Sequence, residues 1–450
     1  MIRNFTAGKP LKLILSFSIP MLFGNLFQQL YNMADSMVVG KFVSKEALAA
    51  VGSVGSLSFM ILGFVSGMCI GFCVPVSRFL GAKNDEMIRS CWFHIMGISL
   101  AVTLILTVLM HFITRPLLHL MKTPDNIIAD ADIYIRIIVY GLIATVFYNI
   151  QACVMRALGD SRTPLYFLII SAVLNVALDL VFVLMCGFGV SGTAYATIIA
   201  QGISGILCFF YMRRRFPVLR LTRADFRFDK HTARLLLGNS LPMAFQFSIT
   251  AIGAIILQSA VNALGSDAVA AITASNKVSL IMLQPLETVG ITMATYCSQN
   301  LGAQKPKRIF QGVLTGAKIN LIYAVAAGLT LFFFGAHISA LFIKGDEFPA
   351  LLPNIKMFLR FNGLLCPLLA TLFIFRNAIQ GLGYGALATL AGVFELAARA
   401  GMAFAVAAFG FGAICFASPS AWAAALVFLV PAYLTVRAHV RREVPETGED

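Results

Sequence analysis

NLFQQLYNMADSMVVG, residues 25–40, lies inside a long apolar run and decides the fold. On a helix, Asn25, Gln28, Gln29, Asn32, Asp35 and Ser36 fall within an arc of about 120°. A polar stripe of that kind cannot face lipid, so the segment predicts a membrane helix turned toward a cavity or a neighbouring helix. The amides and the hydroxyl have an ordinary use, because such groups hydrogen-bond between membrane helices. Asp35 asks for more. A charge at the bilayer centre costs about 2.5–3.5 kcal/mol even on the mildest scale, and the acid therefore points to function.

The rest of the chain supports a membrane setting. Hydrophobic residues make up 59% of the 450 and charged residues 12%, about half the charged share of a soluble domain. The fold class is all-α, polytopic and membrane-embedded. A closed barrel would show alternating segments of about ten residues, and none dominates. Hydropathy marks about twelve spans, at 13–38, 50–77, 91–113, 133–155, 164–186, 190–212, 235–261, 273–298, 311–334, 354–379, 384–409 and 413–436. Lys and Arg gather on alternate connections, with Arg376 counted among the inside ones, which places both termini in the cytoplasm of a cell (inner or plasma) membrane. The net charge of +14 has the same origin, and no nucleic-acid partner is expected. No cleavable signal peptide is expected either, since the first apolar run carries the polar stripe and lacks a small-residue cleavage site.

The two halves repeat. IPM at 19–21 answers LPM at 241–243, EALAAVG at 46–52 answers DAVAAIT at 267–273, SRFLGA at 77–82 answers SQNLGA at 298–303, and RALGD at 156–160 answers QGLGY at 380–384. The division expected is an N-terminal six-helix lobe at 1–212, a basic cytoplasmic linker at 213–234, a C-terminal six-helix lobe at 235–437 and a cytoplasmic tail at 438–450. Parallel repeats of this kind suggest a cleft that opens to alternate sides of the membrane, though repeats alone do not exclude a channel.

A second buried acid follows in SAVLNVALDLVFV, where Asn175 and Asp179 share a helix face four residues apart. The sixth span places Thr193, Thr197 and Gln201 on one face. Two carboxylates among amide and hydroxyl oxygens suit a proton or a hard cation such as Na⁺. The second half has a different inventory. Lys277 and Glu287 lie in the eighth span, and Glu395 and Arg399 form an i,i+4 pair in the eleventh. At the repeat offset that pair stands where Ser171 and Asn175 stand in the first half, and a structural ion pair is expected. Lys277 is placed to snorkel, and Glu287 either meets a cationic substrate or shapes a kink beside Pro285. Pro20 and Pro242 are expected to bend the first and seventh spans. Phe27, Tyr31, Phe64, Met68, Tyr148, Phe245, Met282 and Met293 are candidates for a substrate pocket. The nine cysteines show no metal spacing, and no catalytic motif of a hydrolase, nucleotide-binding protein or prenyl-processing enzyme is present.

IPM…NMADSMVVG, SRFLGA, RALGDSRTP, LNVALD and SQNLGA, in that order over residues 13–436, resemble the multidrug and toxic compound extrusion (MATE) family. The resemblance implies two six-helix lobes and efflux of amphipathic, often cationic compounds, driven by H⁺ or Na⁺. It also implies that Asp35, Asn175, Asp179 and Thr197 form the cation-coupling site and that Pro20 is the family's first-span proline. One departure stands out: the coupling carboxylates that another branch carries in the seventh and tenth spans are missing here, where Gln246 and Gln258 occupy the seventh. The expected activity is antiport by alternating access, without an organic cofactor, by a monomer whose partners are a small organic substrate and membrane lipid. A flippase for a lipid-linked substrate and, more remotely, a membrane-embedded enzyme are the alternatives.

Overall fold

A computed structural model describes residues 4–121, 123–343 and 348–443. The side chains of Ala34, Ser36, Lys45 and Ala224 lie outside this description, as do residues 444–450, so the expectations for Ser36 and for most of the tail fall outside the described residues.

Among the described residues the chain is helical, with no strand. The helices are α1 (Pro10–Phe42), α2 (Lys45–Ser53), α3 (Gly55–Gly81), α4 (Asp85–Leu120), α5 (Asp125–Tyr140), α6 (Leu142–Ala157), α7 (Arg162–Leu180) and α8 (Val190–Arg215). They are followed by α9 (Lys230–Asn262), α10 (Ser266–Gly302), α11 (Pro306–Ser339), α12 (Phe348–Leu364), α13 (Cys366–Gly381), α14 (Gly385–Phe409) and α15 (Phe411–Glu443). Among the described residues ten helical segments are long and apolar enough to cross a membrane, and the count rises to 12 when α5 with α6 and α12 with α13 are each taken as one span.

Those two pairs are bent by 48°, where hydropathy alone reads unbroken spans at 133–155 and 354–379. Gly141 separates the first pair, and in the second α13 restarts with Pro367 in its first turn, a place where the missing N–H removes no helical hydrogen bond. The expected span 50–77 is broken as well. Val54 separates α2 from α3, and the flanking Gly52 and Gly55 each weaken a helix by about 1 kcal/mol. The matching part of α10 carries Thr273 and Asn276 and runs on unbroken.

The repeated motifs lead into matching turns. SRFLGA and SQNLGA run into Lys83 (φ 55°) and Gln304 (φ 56°), and RALGD and QGLGY contain Gly159 (φ 89°) and Gly383 (φ 94°). Each pair uses the left-handed region to end one helix before the next begins. The Asn84 side chain then caps α4 by accepting the Met87 N–H at 3.0 Å.

The chain forms two compact units, one of Ile19–Ser240 and one of Asn4–Ser18 with the described residues from Leu241 onward. The sequence division at 212/213 and 234/235 therefore falls inside the first unit, because the linker packs against α4. Arg89 Nε donates to Asp225 Oδ1 at 3.3 Å, and the Asp229 N–H donates to His94 Nε2 at 2.9 Å. Phe226 and Phe228 contact Phe93 and His94 with ring centroids 5.4 and 5.5 Å apart. In the second unit Phe5 is fully buried. Its N–H donates to Gln299 Oε1 at 3.2 Å, and its carbonyl accepts from Asn300 Nδ2 and Arg308 Nε.

Small residues let backbones approach within each unit, as membrane helix packing requires. Gly71 of α3 lies against the backbone of Asn239 and Ser240, and Gly381 of α13 against that of Ala294. A side chain at either position would displace a neighbouring helix.

Candidate functional site

The predicted cation residues come together in the first unit. α1 presents Tyr31 and Asp35 one turn apart, α7 presents Asn175 and Asp179, and α8 presents Thr193 and Thr197. Asn175 and Asp179 are fully buried, and Asp35 is 8% exposed. Thr197 is the junction. Its hydroxyl donates to the Thr193 carbonyl at 3.0 Å and accepts from Asn175 Nδ2 at 3.2 Å and from the Tyr31 hydroxyl at 3.3 Å. Those bonds fix the Asn175 amide with its oxygen left over.

Three of the four carboxyl oxygens lack donors. Asp35 Oδ1, both Asp179 oxygens and Asn175 Oδ1 are buried without a hydrogen-bond partner. The two carboxyl groups lie within electrostatic reach of each other, and among the described residues neither is ion-paired. Buried oxygens left this way are costly, and a shared proton or a small cation is what satisfies a set made only of acceptors.

Two features of this site were not visible in the sequence. Tyr134 of α5 lies within electrostatic reach of Asp35, Asp179 and Tyr31 and packs with Val39 and Val190; its surroundings ADADIYIRI read only as the beginning of a span. Immediately after Asp179, α7 widens into a π-helical turn, Val181–Met185. Such turns interrupt the regular ladder and recur at functional sites, and no residue type announces this one.

The remaining predicted residues divide. Asn25 and Gln29 are half-buried, while Gln28 and Asn32 are exposed. Thr193 is fully buried and donates to the Val190 carbonyl, and Gln201 accepts from the Thr145 hydroxyl at 2.5 Å, so both serve packing between or within helices. Pro20 and Pro242 lie inside the continuous helices α1 and α9.

The pocket candidates need correction. Met68 and Met293 are fully buried, with Met293 against Gly316, and Tyr148 is buried with its hydroxyl donating to the Pro164 carbonyl at 3.2 Å. Met282 packs against the apolar core of the second unit. Met68, Met293 and Tyr148 are enclosed by packing, and Met282 is half-buried. Phe27 and Phe245 are exposed, and Tyr31 and Phe64 half-buried.

In the second unit Glu287, Arg376, Glu395 and Arg399 already have partners. Glu395 of α14 accepts from Arg399 NH2 at 3.3 Å and contacts Arg376 of α13, and Glu287 accepts from Gln284 Nε2 at 3.1 Å within electrostatic reach of Arg376. Arg376 is only 6% exposed, so it is a buried partner and not a charge on an inside connection; the bias of the remaining basic residues is unaffected. Gln380 and Gln246 close the cluster at 2.6 Å. Lys277 is exposed, with Nζ 5.6 Å from the Phe342 ring, which fits a snorkelling side chain.

The linker acids are charged and engaged. Hydrogen bonds from the Thr232 hydroxyl and N–H, and from the His231 N–H, hold the Asp229 carboxyl down at about 2. The Thr222 hydroxyl, with help from Arg89, holds Asp225 below the usual carboxylate range. No group of three or more His, Cys, Asp or Glu gathers for a metal among the described residues.

A helical membrane chain with this internal repeat has a counterpart in sequence space. The MatE family model matches residues 20–181 and 242–409. The chain belongs to the MatE family. It is 31% identical over 342 residues to a probable multidrug resistance protein, YoeA, of Bacillus subtilis, covering 74% of this chain and 73% of that one. A second Bacillus subtilis protein, the probable multidrug resistance protein YpnP, is 25% identical over 384 residues, covering 84% of each. A crystal structure of MATE in complex with MaL6 matches with a TM-score of 0.90 at 22% identity, over 98% of this chain and 99% of that one. As a MatE-family protein the chain is a membrane transporter and not an enzyme.

Proposed function

We propose that this MatE-family chain is a secondary antiporter that exports amphipathic, cationic organic compounds in exchange for H⁺ or Na⁺. The reading rests on one observation: four buried oxygens of Asp35, Asp179 and Asn175 have no donor. The multidrug-resistance relatives support the class of substrate. The coupling ion enters at Asp35 and Asp179 and is held with the Asn175 oxygen, while Thr197 keeps that amide in place. As a proton, the ion bridges the two carboxyls; as Na⁺, it takes the same oxygens as ligands.

Neutralising the pair changes how α1 packs, with Pro20 as the point where the helix bends, and this releases the exported compound. The ion can drive the change only to the extent that it binds the two conformations unequally. The transporter acts by alternating access, as a monomer in the cell membrane with both termini cytoplasmic, and needs no organic cofactor.

The test is export of a cationic dye from cells making the wild type, Asp35→Asn or Asp179→Asn at matched protein level, with the proton and sodium gradients collapsed separately. Loss of export in both variants, together with dependence on one gradient, is the expected result and names the ion. Export that survives both substitutions would refute the site.

A further inference from the structure

Each unit contains an apolar groove that ends in basic side chains. In the first unit a cavity of 780 Å³ lies between α4, α6 and α8. Its walls include Trp92, Met96, Phe147, Ile206 and Phe209, and linker residues Leu219 to Leu221 and Phe226 close one end. Along α8 it extends from Gly202 to Arg213, about 16 Å at the helical rise per residue. That length is about half of the hydrocarbon thickness of a bilayer. Arg213 and Arg220 line the linker end; both are exposed, and among the described residues neither has an acidic partner.

The second unit repeats the arrangement. A groove of 560 Å³ between α11, α13 and α15 has Phe310, Phe375 and Tyr433 in its wall and Lys307, Arg437 and Arg441 at its basic end. Arg437 lies 4.9 Å from the Phe310 ring. α11, α13 and α15 hold the repeat positions of α4, α6 and α8, so two grooves at equivalent places in the two halves carry the same pairing of apolar wall and basic rim.

We propose that the two grooves are binding sites for anionic glycerophospholipids, one in each unit, with acyl chains against the apolar walls and the phosphate at the arginines. The wall chemistry calls for hydrocarbon and the rim for an anion, and the groove has the depth of one leaflet. The linker adds an independent sign. Phe226 and Phe228 are 62% and 75% exposed and alternate with Arg223, Arg227 and Lys230, the aromatic and basic mixture of a segment that lies at a lipid surface. The proposal depends on the chain being in a membrane and not on the transport reading.

The probe is dioleoyl phosphatidylglycerol against dioleoyl phosphatidylcholine, titrated onto the detergent-purified full chain and counted by native mass spectrometry. Two phosphatidylglycerol molecules are expected to bind per chain in preference to phosphatidylcholine. Arg213→Gln with Arg220→Gln should weaken one of the two by about fivefold per arginine, and Arg437→Gln with Arg441→Gln should weaken the other. These residues are exposed, so elution and thermal stability should stay as in the wild type. Gly97→Phe, at a position with open space beside it on the first groove, should remove one bound lipid of either headgroup. Equal binding of the two lipids, or a stoichiometry untouched by all three variants, would overturn the proposal. So would displacement of the lipid by a cationic amphipathic dye, which would make the grooves substrate sites.

Discussion

In the first unit, among the described residues, neither Asp35 nor Asp179 is ion-paired with a basic side chain; in the second, Glu395 contacts both Arg376 and Arg399. The two arrangements grow from one repeated sequence pattern, since Glu395 and Arg399 stand where Ser171 and Asn175 stand in the first half. An acid with a resident arginine has its charge balanced inside the protein and nothing to gain from a mobile ion. An acid pair without one is satisfied only by what arrives from outside. Under the proposed antiport, ion coupling belongs to the first unit and structural support to the second.

Four experiments press on this contrast. The largest effect belongs to the acid pair: Asp35→Asn and Asp179→Asn should each lower export by at least about tenfold at unchanged protein level, because a ligand that binds both states equally drives nothing. Because the carboxyls share one ion, the double variant should be no worse than either single, a non-additivity expected of groups acting as a unit. Glu395→Gln should act through stability, leaving half-buried Arg399 without its acid and buried Arg376 with Glu287 alone, at a loss of about 3–5 kcal/mol. Thermal unfolding of the purified protein measures it, and unchanged stability with lost ion dependence would move coupling into the second unit. Thr197→Ala frees the Asn175 amide, and an unmade buried hydrogen bond costs about 1–3 kcal/mol; the expected readout is weaker ion dependence of export with a small fall in melting temperature.

The smallest effect is at the linker. Asp229 titrates at about 2 in the folded protein, below an unfolded carboxyl value of about 4. Its stabilisation is therefore complete above the unfolded value and is lost as pH falls through 4 toward 2. Pepsin cleavage of the linker should rise over that window in the wild type and start from a higher, flatter level in Asp229→Asn.

Much of this contrast was legible in the sequence. Asp35, and Asn175 with Asp179, stand out because a lone acid in an apolar run has few bland explanations, and i,i+4 spacing fixes their shared face. The Glu395–Arg399 pair was legible for the same reason. Arg376 was not: FRNAIQG sits at a span end, where an arginine ordinarily marks the cytoplasmic side, and only the approach of α14 turns it inward. Tyr134 reaches the acids through the fold of α5 against α1, a long-range contact with no local signature. The bends at Gly141 and Leu365 escape a hydropathy window, which averages over the break. Met68 and Met293 read as pocket residues because a flexible apolar side chain suits a pocket and a packed interior equally.

The central claim is that one ion shared by Asp35 and Asp179 drives transport. The most direct measurement is dye transport by the purified protein in liposomes, under an imposed proton or sodium gradient, for the wild type and the Asp35→Asn/Asp179→Asn double variant. The account predicts transport that follows one of the two gradients in the wild type and neither in the double variant. Gradient-driven transport that persists in the double variant would contradict it.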